Sequence, residues 1–325
     1  AAVEGGMQVM LDCEVQSIVK EVDGFTLETS QGLLHARFVV NAAGVHAAEI
    51  SAMLGEYDFA IQPNRGEYYL LDTTQGQLVK HIIFQPPTAV GKGILVSPTV
   101  HGNLIVGPNA EDVSGDDVTT TRAGLDYVRN MALRSVPAIN FRETIRNFAG
   151  VRALPHIDDF IVGQSGQTPG YFRMAGIKSP GLTSAPAIAR DLASQLIQSG
   201  LSANPNPNYC GKRHVTRFKE LEPQQREALI QTDPLYGSIV CRCQTVTEGE
   251  IVEALRRPLP PRSLDAVKRR VGPGMGRCQG GFCGPRVQAL IARELGIQEE
   301  QVPQDRQGMY LVTGRTKTGK DGGKP

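Results

Sequence analysis

Four cysteines in the last third of the chain are the residues best placed to do chemistry. They form two close pairs, Cys241-Arg-Cys243 and Cys278-Gln-Gly-Gly-Phe-Cys283, with 34 residues between the pairs. Thiolates crowded this closely repel one another unless a metal binds them, so the spacing indicates an iron–sulfur cluster or a zinc ion. A [2Fe–2S] cluster would move single electrons, whereas a four-cysteine zinc site would only hold the fold.

The segments around these cysteines are predicted to be short helices joined by turns. Thr247-Glu-Gly-Glu250 is a capping box that begins a helix at Ile251–Arg256, and Ser263 can cap a second helix at Leu264–Val271. Pro285 is typical of the first turn of a third helix, Arg286–Leu295. Cys283 would therefore lie at a helix N-terminus, where free N–H groups and the helix dipole stabilise a thiolate.

Two segments, Ile239–Ile251 and Gly274–Cys283, resemble the bacterioferritin-associated-ferredoxin type of [2Fe–2S] domain. The resemblance covers about 60 residues and implies that residues 236–300 form a small helical iron–sulfur domain. It also implies the ligands of a [2Fe–2S] cluster, which are Cys241, Cys243, Cys278 and Cys283.

Length and composition set the broad class of the protein. A chain of 325 residues is long enough for two domains, and its net charge of +1 gives no argument for nucleic acid as a partner. No apolar run is long enough to predict a transmembrane segment. Clustered cysteines suit a reducing compartment, so we expect a cytoplasmic protein, either free or held at the inner face of the membrane by a partner.

The first 200 residues predict strands with interspersed helices, and the predicted fold class is α+β. Strands are expected at Val9–Val19, Gly24–Thr29 and Leu33–Val40, and antiparallel strands across residues 57–110. The chain Phe38–Gly44 reads as a strand entering a small-residue turn before a helix at Ala47–Leu54. In such a layout the backbone approaches a cofactor closely.

Several segments, taken in order, resemble the FAD-dependent D-amino-acid-oxidase-like superfamily. They are Asn41-Ala-Ala-Gly44, Pro63–Tyr69, Gly102–Pro108, Gly150-Val-Arg152, Asp159–Gly163 and Gly176–Thr183. The resemblance implies a partial FAD-binding domain at residues 1–200 that contains an antiparallel-sheet substrate subdomain at about 56–150. The implied FAD contacts are Ala43, Gly44, Gly150, Gly176, Gly181, Leu182 and Thr183.

Superfamily members begin with a Gly-x-Gly-x-x-Gly turn that cradles the FAD pyrophosphate, and the printed sequence contains none. We therefore expect a C-terminal portion that lacks the dinucleotide-binding start and does not hold FAD firmly. Residues 201–235 are expected to be a linker, and residues 301–325 a largely disordered tail.

Three basic residues, Arg152, Lys178 and Arg65, are predicted to bind an anionic substrate. Arg152 lies in an apolar strand, where an unpaired guanidinium is costly, so a carboxylate or phosphate partner is expected. The alternatives are a structural ion pair of Arg152 with Asp158 or Asp159, and a solvated loop position for Lys178. The general base is left open among three histidines, His46, His101 and His156.

A flavin domain followed by this [2Fe–2S] domain resembles the large subunit of anaerobic glycerol-3-phosphate dehydrogenases. The resemblance implies hydride transfer from a small anionic substrate to FAD, then single-electron transfer through the cluster to an acceptor subunit or quinone. One alternative is a 2-hydroxy-acid, amino-acid or opine dehydrogenase subunit. Another is a truncated, non-catalytic chain whose cysteines form a structural zinc site or an electron-transfer module.

Overall fold

The computed structural model describes residues 2–86, 93–204, 206, 207, 209, 211, 214–312 and 314. The chain divides into two compact units. The larger is Met10–Pro207, and the smaller is made of Ala1–Val9 and Asn208–Pro325. Sheets and helices are mixed in the larger unit and short helices dominate the smaller, in agreement with the predicted α+β class.

The larger unit contains eleven strands and three α-helices among the described residues. The strands are β1 Val15–Glu21, β2 Gly24–Thr29, β3 Gly32–Ala36, β4 Val39–Asn41, β5 Ile61–Leu71, β6 Leu95–Pro98, β7 Leu104–Gly107, β8 Glu111–Asp112, β9 Thr144–Pro155, β10 Ile161–Gln164 and β11 Tyr171–Ala175. The helices are α1 Ala47–Ala52, α2 Arg122–Ser135 and α3 Gly181–Gln198.

These strands form three sheets. Strands β1, β2 and β3 make an antiparallel meander, and the order β10-β11-β4 makes a second sheet in which β4 runs parallel to β11. The third sheet has the order β6-β7-β5-β8, and β9 pairs with β5 along its whole length, from Ile61 opposite Pro155 to Leu71 opposite Thr144. This long β5–β9 ladder carries Arg65 and Arg152, two of the three candidate substrate residues.

The third sheet is held by a core beneath α2. Apolar side chains from β5, β6 and β7 pack against one face of that helix; the buried members are Leu71, Ile94, Val96, Leu104, Val106, Val128, Ala132 and Ile139. Burial of these side chains favours folding by about 2 kcal/mol each. Helix α2 begins after Thr121, whose hydroxyl accepts a hydrogen bond from the Gly124 N–H.

The smaller unit is a bundle of short helices around one apolar core. Its elements are α4 Pro223–Thr232, α5 Glu248–Leu255, α6 Leu264–Val271, α7 Gly284–Leu295 and the short strands β12 Ile239–Cys241 and β13 Val246–Thr247. The predicted capping box is present at the start of α5, where Thr247 and Glu250 exchange hydrogen bonds. The core includes Cys241 and Cys283, so the metal site and the core are continuous.

Several predicted boundaries differ from the structure. The first strand begins at Val15 rather than Val9, and the predicted strand Leu33–Val40 is divided into β3 and β4, which join different sheets. Strand β5 begins at Ile61 although Pro63, Arg65 and Gly66 weaken any strand pattern. Pairing with β9 across the sheet overrides that weak local preference.

Residues 201–235, which we expected to be a linker, contain the helix α4 and two 3₁₀ turns. A Glu222–Gln225 capping box starts this helix, a signal that the Pro- and Asn-rich stretch before it obscured. The expected tail begins with ordered residues: Val302 is fully buried and Asp305 pairs with Arg269 at 2.5 Å. Residues 313 and 315–325 lie outside the described residues. No helix in the described part of the chain is long and apolar enough to cross a membrane.

Candidate active site and four-cysteine centre

Arg152 lies in the middle of the β5–β9 ladder, opposite Asn64. Its guanidinium donates to the Asn64 side-chain oxygen and, at 2.8 Å, to the backbone carbonyl of Asn109. The Asn64 amide is oriented by a 2.8 Å hydrogen bond to Asp112 of β8, so its oxygen faces the arginine. Two of the five guanidinium N–H donors are thereby used to fix the side chain, and three remain for other partners.

Gly66 lets the guanidinium lie across the strand. A Cβ atom built at this position would overlap the Arg152 guanidinium and would lie 2.7 Å from the side chain of Pro108. Any side chain here would therefore displace the arginine. The Gly66 position was part of a sequence segment that resembles the superfamily, but its steric role depends on a residue 86 positions away.

A cleft of about 1220 Å³ opens beside Arg152. Its walls combine aromatic rings with polar groups, which is the usual composition of a small-molecule site. The lining includes Asn64, Tyr68, Phe84, Asn109, Tyr127, Arg152, Asp158 and Lys178. The Lys178 ammonium lies 3.2 Å from a carboxylate oxygen of Asp158, a side chain that is fully exposed. The structure therefore brings Arg152 and Lys178 to one cleft.

Arg65 has a different environment, although it was predicted with the other two. Its side chain is buried and lies within ion-pair distance of three carboxylates, Glu67 at 3.6 Å, Glu111 at 2.9 Å and Asp117 at 2.7 Å. A hydrogen bond to Glu111 raises the pKa of Arg65 above its ordinary value, and nearby carboxylates add to that effect. Arg65 is not among the residues lining the cleft, and its charge is compensated within the fold.

Arg152 has no such compensation. Within the described ranges, no carboxylate lies within 4.0 Å of its guanidinium, so neither Asp158 nor Asp159 forms the ion pair that we considered as an alternative. Arg173, the third partly buried arginine of this unit, donates to both oxygens of Asp58 at 2.7 Å. Arg152 therefore presents a net positive charge to the cleft on a side chain fixed by neutral groups.

A buried hydrogen-bond network holds the predicted cofactor turn. The Asn41 side chain donates to the Ala47 carbonyl and to the Tyr171 hydroxyl, both at 2.8 Å, and its oxygen accepts from the Ala43 N–H at 3.1 Å. Burial raises the pKa of Tyr171, so its hydroxyl remains protonated. The network fixes the backbone from Asn41 to Gly44, and the turn that follows packs against β5 and β9.

Helix α3 begins at Gly181, which places Gly181, Leu182 and Thr183 in its first turn. No side chain caps this end at Pro180, and the Leu182 side chain is 94% exposed. The Gly181 N–H donates to the Lys178 carbonyl and the Thr183 N–H donates to the Pro180 carbonyl, so the start of this 18-residue helix offers the Leu182 N–H and a positive dipole. These groups fit the electron-rich edge of a flavin ring.

The remaining predicted residues are two of the glycines expected to contact FAD and the three candidate histidines. A Cβ atom at Gly150 would meet nothing within 4 Å, which leaves open space above the ladder, whereas Gly176 packs on Pro155. The His46 ring bonds Glu49, and the His156 ring accepts from the Ala60 N–H. None of the three candidate histidines lines the cleft. Sequence reasoning missed Asn64 and Asn109, because an asparagine in a strand carries no signal of its partner.

The four cysteines of the smaller unit meet where two loops pack together. The sulfurs of Cys241 and Cys243 are 3.7 Å apart. Two thiolates on one tetrahedral metal, with metal–sulfur bonds of about 2.3 Å, would be separated by about 3.8 Å. Cys278 contacts Cys243, and Cys283 contacts Cys241, so the second pair faces the first.

Gly276 is the closest point between the two loops. A Cβ atom at this position would lie 2.5 Å from the Cys243 sulfur, so only glycine leaves room for the thiol. Cys241 and Cys283 are buried, whereas Cys243 is exposed. The site therefore has a closed side within the core and an open side towards solvent.

The thiols are difficult to ionise together without a metal. Burial, followed by contact with Cys241, raises the pKa of Cys243 to about 12 and that of Cys283 to about 11. Backbone N–H groups, first that of Gly280 and then that of Phe282, lower the pKa of Cys278. A bound metal would supply the positive charge that four thiolates require.

Among the residues that the structure describes, no three His, Cys, Asp or Glu side chains have the arrangement of a single-ion site. A two-iron cluster does not need that arrangement, because two irons share the four thiolates.

Comparison with known proteins gives a family for each of the two regions, the one that contains the cleft and the one that contains the four cysteines. Residues 1–195 match the family model described as FAD dependent oxidoreductase. The chain belongs to the FAD-dependent oxidoreductase family. Residues 239–293 match the model of the BFD-like [2Fe-2S] binding domain, which contains all four clustered cysteines. FAD and a [2Fe–2S] cluster are therefore the cofactors of these two domain types, as the sequence resemblance implied.

Several similar proteins are glycerol-3-phosphate enzymes. A glycerol 3-phosphate dehydrogenase of Caloramator mitchellensis is 44% identical over 319 residues, which cover 98% of this chain and 66% of the relative. One subunit of the anaerobic glycerol-3-phosphate dehydrogenase of Escherichia coli strain K12 is 25% identical over 298 residues, which cover 80% of this chain and 53% of the relative. The chain thus spans about half to two thirds of the length of these relatives.

A solved structure of L-alpha-glycerophosphate oxidase from Mycoplasma pneumoniae, with FAD bound, is similar to this structure with a TM-score of 0.58 and 29% identity. The similarity covers 66% of this chain and 57% of that structure. It supports the assignment of the fold around the β5–β9 ladder.

Proposed function

We propose that this protein is an FAD-dependent dehydrogenase that oxidises a small anionic alcohol, with glycerol 3-phosphate as the substrate. The observation that carries the proposal is the uncompensated charge of Arg152 in an aromatic-lined cleft. Of the three arginines compared above, it is the one held by neutral groups alone. An anionic ligand would complete its hydrogen bonds and balance its charge.

Phosphate is favoured over carboxylate because two cations share the cleft. Arg152 offers up to three remaining donors, and Lys178 adds a second charge. Of the two carboxylates in the lining, Asp158 is exposed and Glu111 pairs with Arg65. A phosphate monoester carries close to two negative charges at neutral pH, as a phosphorylated side chain does. Asn64 and Asn109 would hold the arginine in place so that the anion is bound in one orientation.

FAD, when bound, accepts a hydride from the substrate carbon that bears the hydroxyl. The chain would hold the flavin ring between the turn at Ala43 and Gly44 and the first turn of α3, at Gly181, Leu182 and Thr183. The Leu182 N–H and the dipole of α3 would stabilise negative charge on the ring. The position of Lys178 in the same loop as this helix start would place the anion and the flavin edge close together.

The cysteine centre supports electron transfer in single steps. A flavin takes up two electrons and a [2Fe–2S] cluster one, so a cluster lets the flavin discharge one electron at a time. We propose that the electrons pass on to an acceptor subunit or a quinone. The relative from Escherichia coli, itself one subunit of an anaerobic dehydrogenase, supports an acceptor subunit.

The test begins with anaerobically purified chain, reconstituted with FAD, iron and sulfide. About two irons and two sulfides per chain are expected, and one zinc with no colour would contradict the electron-transfer role. Glycerol 3-phosphate is then added without oxygen, and the flavin absorbance near 450 nm is followed. Bleaching by glycerol 3-phosphate, but not by L-2-hydroxyglutarate or by an N-alkyl amino acid, is expected. The reverse pattern would contradict the proposed substrate.

A further inference from the structure

The two cysteine loops expose one face of the smaller unit to solvent. Cys243 is exposed, while Cys241 and Cys283 are buried to 1% and 3% exposure. Electron transfer slows steeply with distance, so an acceptor outside the unit would approach on the Cys243 side. The following argument depends on the cluster and not on the identity of the substrate.

An unusually exposed aromatic residue lies on this face. Phe282, between Cys278 and Cys283, is 88% exposed, and Met275 in the same loop is 41% exposed. Phe282 directly precedes Cys283, and its backbone N–H donates to the Cys278 thiol, so it is close to two candidate ligands. Phe, Met and Arg are enriched in protein–protein interfaces, so an exposed Phe and an exposed Met beside arginines have the composition of a contact surface.

The charged residues of the two cysteine loops all have the same sign. Residues 239–247 and 272–287, the two cysteine loops, contain Arg242, Arg277 and Arg286 and no Asp or Glu. All three arginines are exposed, although Arg286 also donates to the Ile239 carbonyl at 2.7 Å. The 12-residue helix α7 begins at Gly284 and directs its positive end towards the same loops.

We propose that this face, made of Arg242, Cys243, Met275, Arg277 and Phe282, is the docking surface for an electron-carrying protein whose own contact surface is acidic. Phe282 provides the apolar centre and the arginines provide the charge that orients the partner. The step is the transfer of one electron from the reduced cluster to the partner's redox centre. No bond is formed or broken, and no proton moves.

Charge complementarity of this kind acts mainly on the association rate, with effects of roughly 10- to 1000-fold at low salt. The arginines have a second physical role to be separated from docking, because positive charge near an anionic cluster also raises its reduction potential. A ratio of rates for two oxidants of opposite charge cancels most of that change in driving force. The ratio of the two oxidation rates therefore reports the electrostatic field near the cluster. The reduction potential of the cluster is measured independently.

The experiment uses the full chain with its cluster reduced by dithionite. Loss of the reduced-cluster EPR signal is followed after rapid mixing with ferricyanide or with hexaammineruthenium(III), at low and high salt. The variants are the double substitution Arg242→Glu/Arg277→Glu and, as a control for the change in net charge, Arg262→Glu both alone and combined with Arg306→Glu; Arg262 and Arg306 are exposed and lie outside both loops. An EPR-monitored redox titration gives the potential of each variant.

We expect ferricyanide to be favoured at low salt in the unmodified chain, and the ferricyanide-to-ruthenium rate ratio to fall at least about 10-fold in the double variant. The controls should keep the ratio. A ratio that is equal in all four proteins, or that falls equally in the control that combines Arg262→Glu with Arg306→Glu, would overturn the proposal. A changed potential with an unchanged ratio would also overturn it, and would leave the arginines as groups that only tune the cluster.

Phe282 is tested with protein oxidants, acidic cytochrome b5 and basic cytochrome c. Phe282→Ala should slow electron transfer to cytochrome b5 several-fold and leave the ferricyanide rate unchanged, because a small ion makes no apolar contact. Cytochrome c should be the slower acceptor at low salt once the rates are corrected for driving force. Equal effects of Phe282→Ala on ferricyanide and cytochrome b5, or faster transfer to cytochrome c, would overturn the role of this face.

Discussion

Replacing Arg152 is the sharpest test of the cleft, because its hydrogen bonds permit a magnitude to be worked out. The guanidinium donates once to Asn64 and once to Asn109, which leaves three donors for a bound anion. Hydrogen bonds to charged groups contribute about 1.5–3 kcal/mol each. If two are made to the anion, Arg152→Met should weaken its binding by roughly 3–6 kcal/mol, or about 10²- to 10⁴-fold.

Arg152→Lys separates charge from geometry. The ammonium retains the positive charge but cannot bridge two fixed oxygens and the ligand, so a smaller loss of about 10- to 100-fold is expected. Lys178→Met removes a partly exposed cation that already faces Asp158, and should cost about 1 kcal/mol, or about 5-fold. We predict that the loss of affinity is largest for Arg152→Met, smaller for Arg152→Lys and smallest for Lys178→Met.

The assay is anaerobic calorimetric titration of glycerol 3-phosphate into the dithionite-reduced chain, which cannot oxidise the ligand, with thermal unfolding measured in parallel. Loss of Arg152 leaves two half-buried oxygen acceptors without their donor, so a destabilisation of about 1–2 kcal/mol is also expected. Binding to Arg152→Met within about three-fold of the unmodified chain, in a folded protein, would refute the reasoning. So would a Lys178→Met variant that loses more affinity than Arg152→Met.

Three further predictions concern the fold and the cysteine centre. Glu67 is fully buried, accepts hydrogen bonds from Thr121 and faces Arg65, so Glu67→Gln should lower the free energy of unfolding by about 3 kcal/mol in urea titrations. Glu111→Gln removes a half-exposed partner of the same arginine and should cost under about 1 kcal/mol; equal losses would contradict this prediction. Gly276→Ala should abolish most iron incorporation, because its methyl group would lie 2.5 Å from the Cys243 sulfur. In the control Gly284→Ala the methyl group would meet nothing within 4 Å, so the iron should be kept; full iron content in Gly276→Ala would contradict the packing of the two cysteine loops. Burial alone would raise the pKa of Glu294, but hydrogen bonds from Arg256 and Arg293 outweigh it and lower the pKa below 4.5. The stabilisation from this carboxylate is therefore complete above about pH 4.5 and is lost as the pH falls through the folded-state pKa. Glu294→Gln should flatten that decline in acid unfolding curves, and an unchanged slope would contradict the role of these two ion pairs.

Local chemistry determined much of what the sequence predicted. Thr247 and Glu250 cap α5 through contacts within one turn. Each cysteine pair lies within a short loop, and the sulfurs of Cys241 and Cys243 are in contact. Such features need only a few neighbouring residues, so they can be recognised along the chain. The mixed fold class followed from such local patterns, whereas the family and both cofactors were implied by the resemblance of sequence segments to known families.

Element boundaries and the contents of 201–235 required the tertiary structure. Strand β5 is extended because β9, some 80 residues later, supplies partners for its whole length. Helix α4 follows a stretch whose composition is typical of a linker. For β5, pairing with a distant strand outweighed a weak local preference, whereas α4 begins at a local capping box that the composition of the preceding stretch obscured.

The roles of the arginines show the same division most clearly. Arg65 and Arg152 both lie in strands, and the residue types around them in sequence did not distinguish them. The fold gives Arg65 three carboxylates and gives Arg152 an amide oxygen and a backbone carbonyl, from residues 88 and 43 positions away. Sequence by itself determined that the chain carries a flavin-type domain and a four-cysteine cluster domain. Only the tertiary structure decided which arginine keeps its charge for a ligand, because compensation of a charge depends on which groups the fold brings within a few ångströms of it.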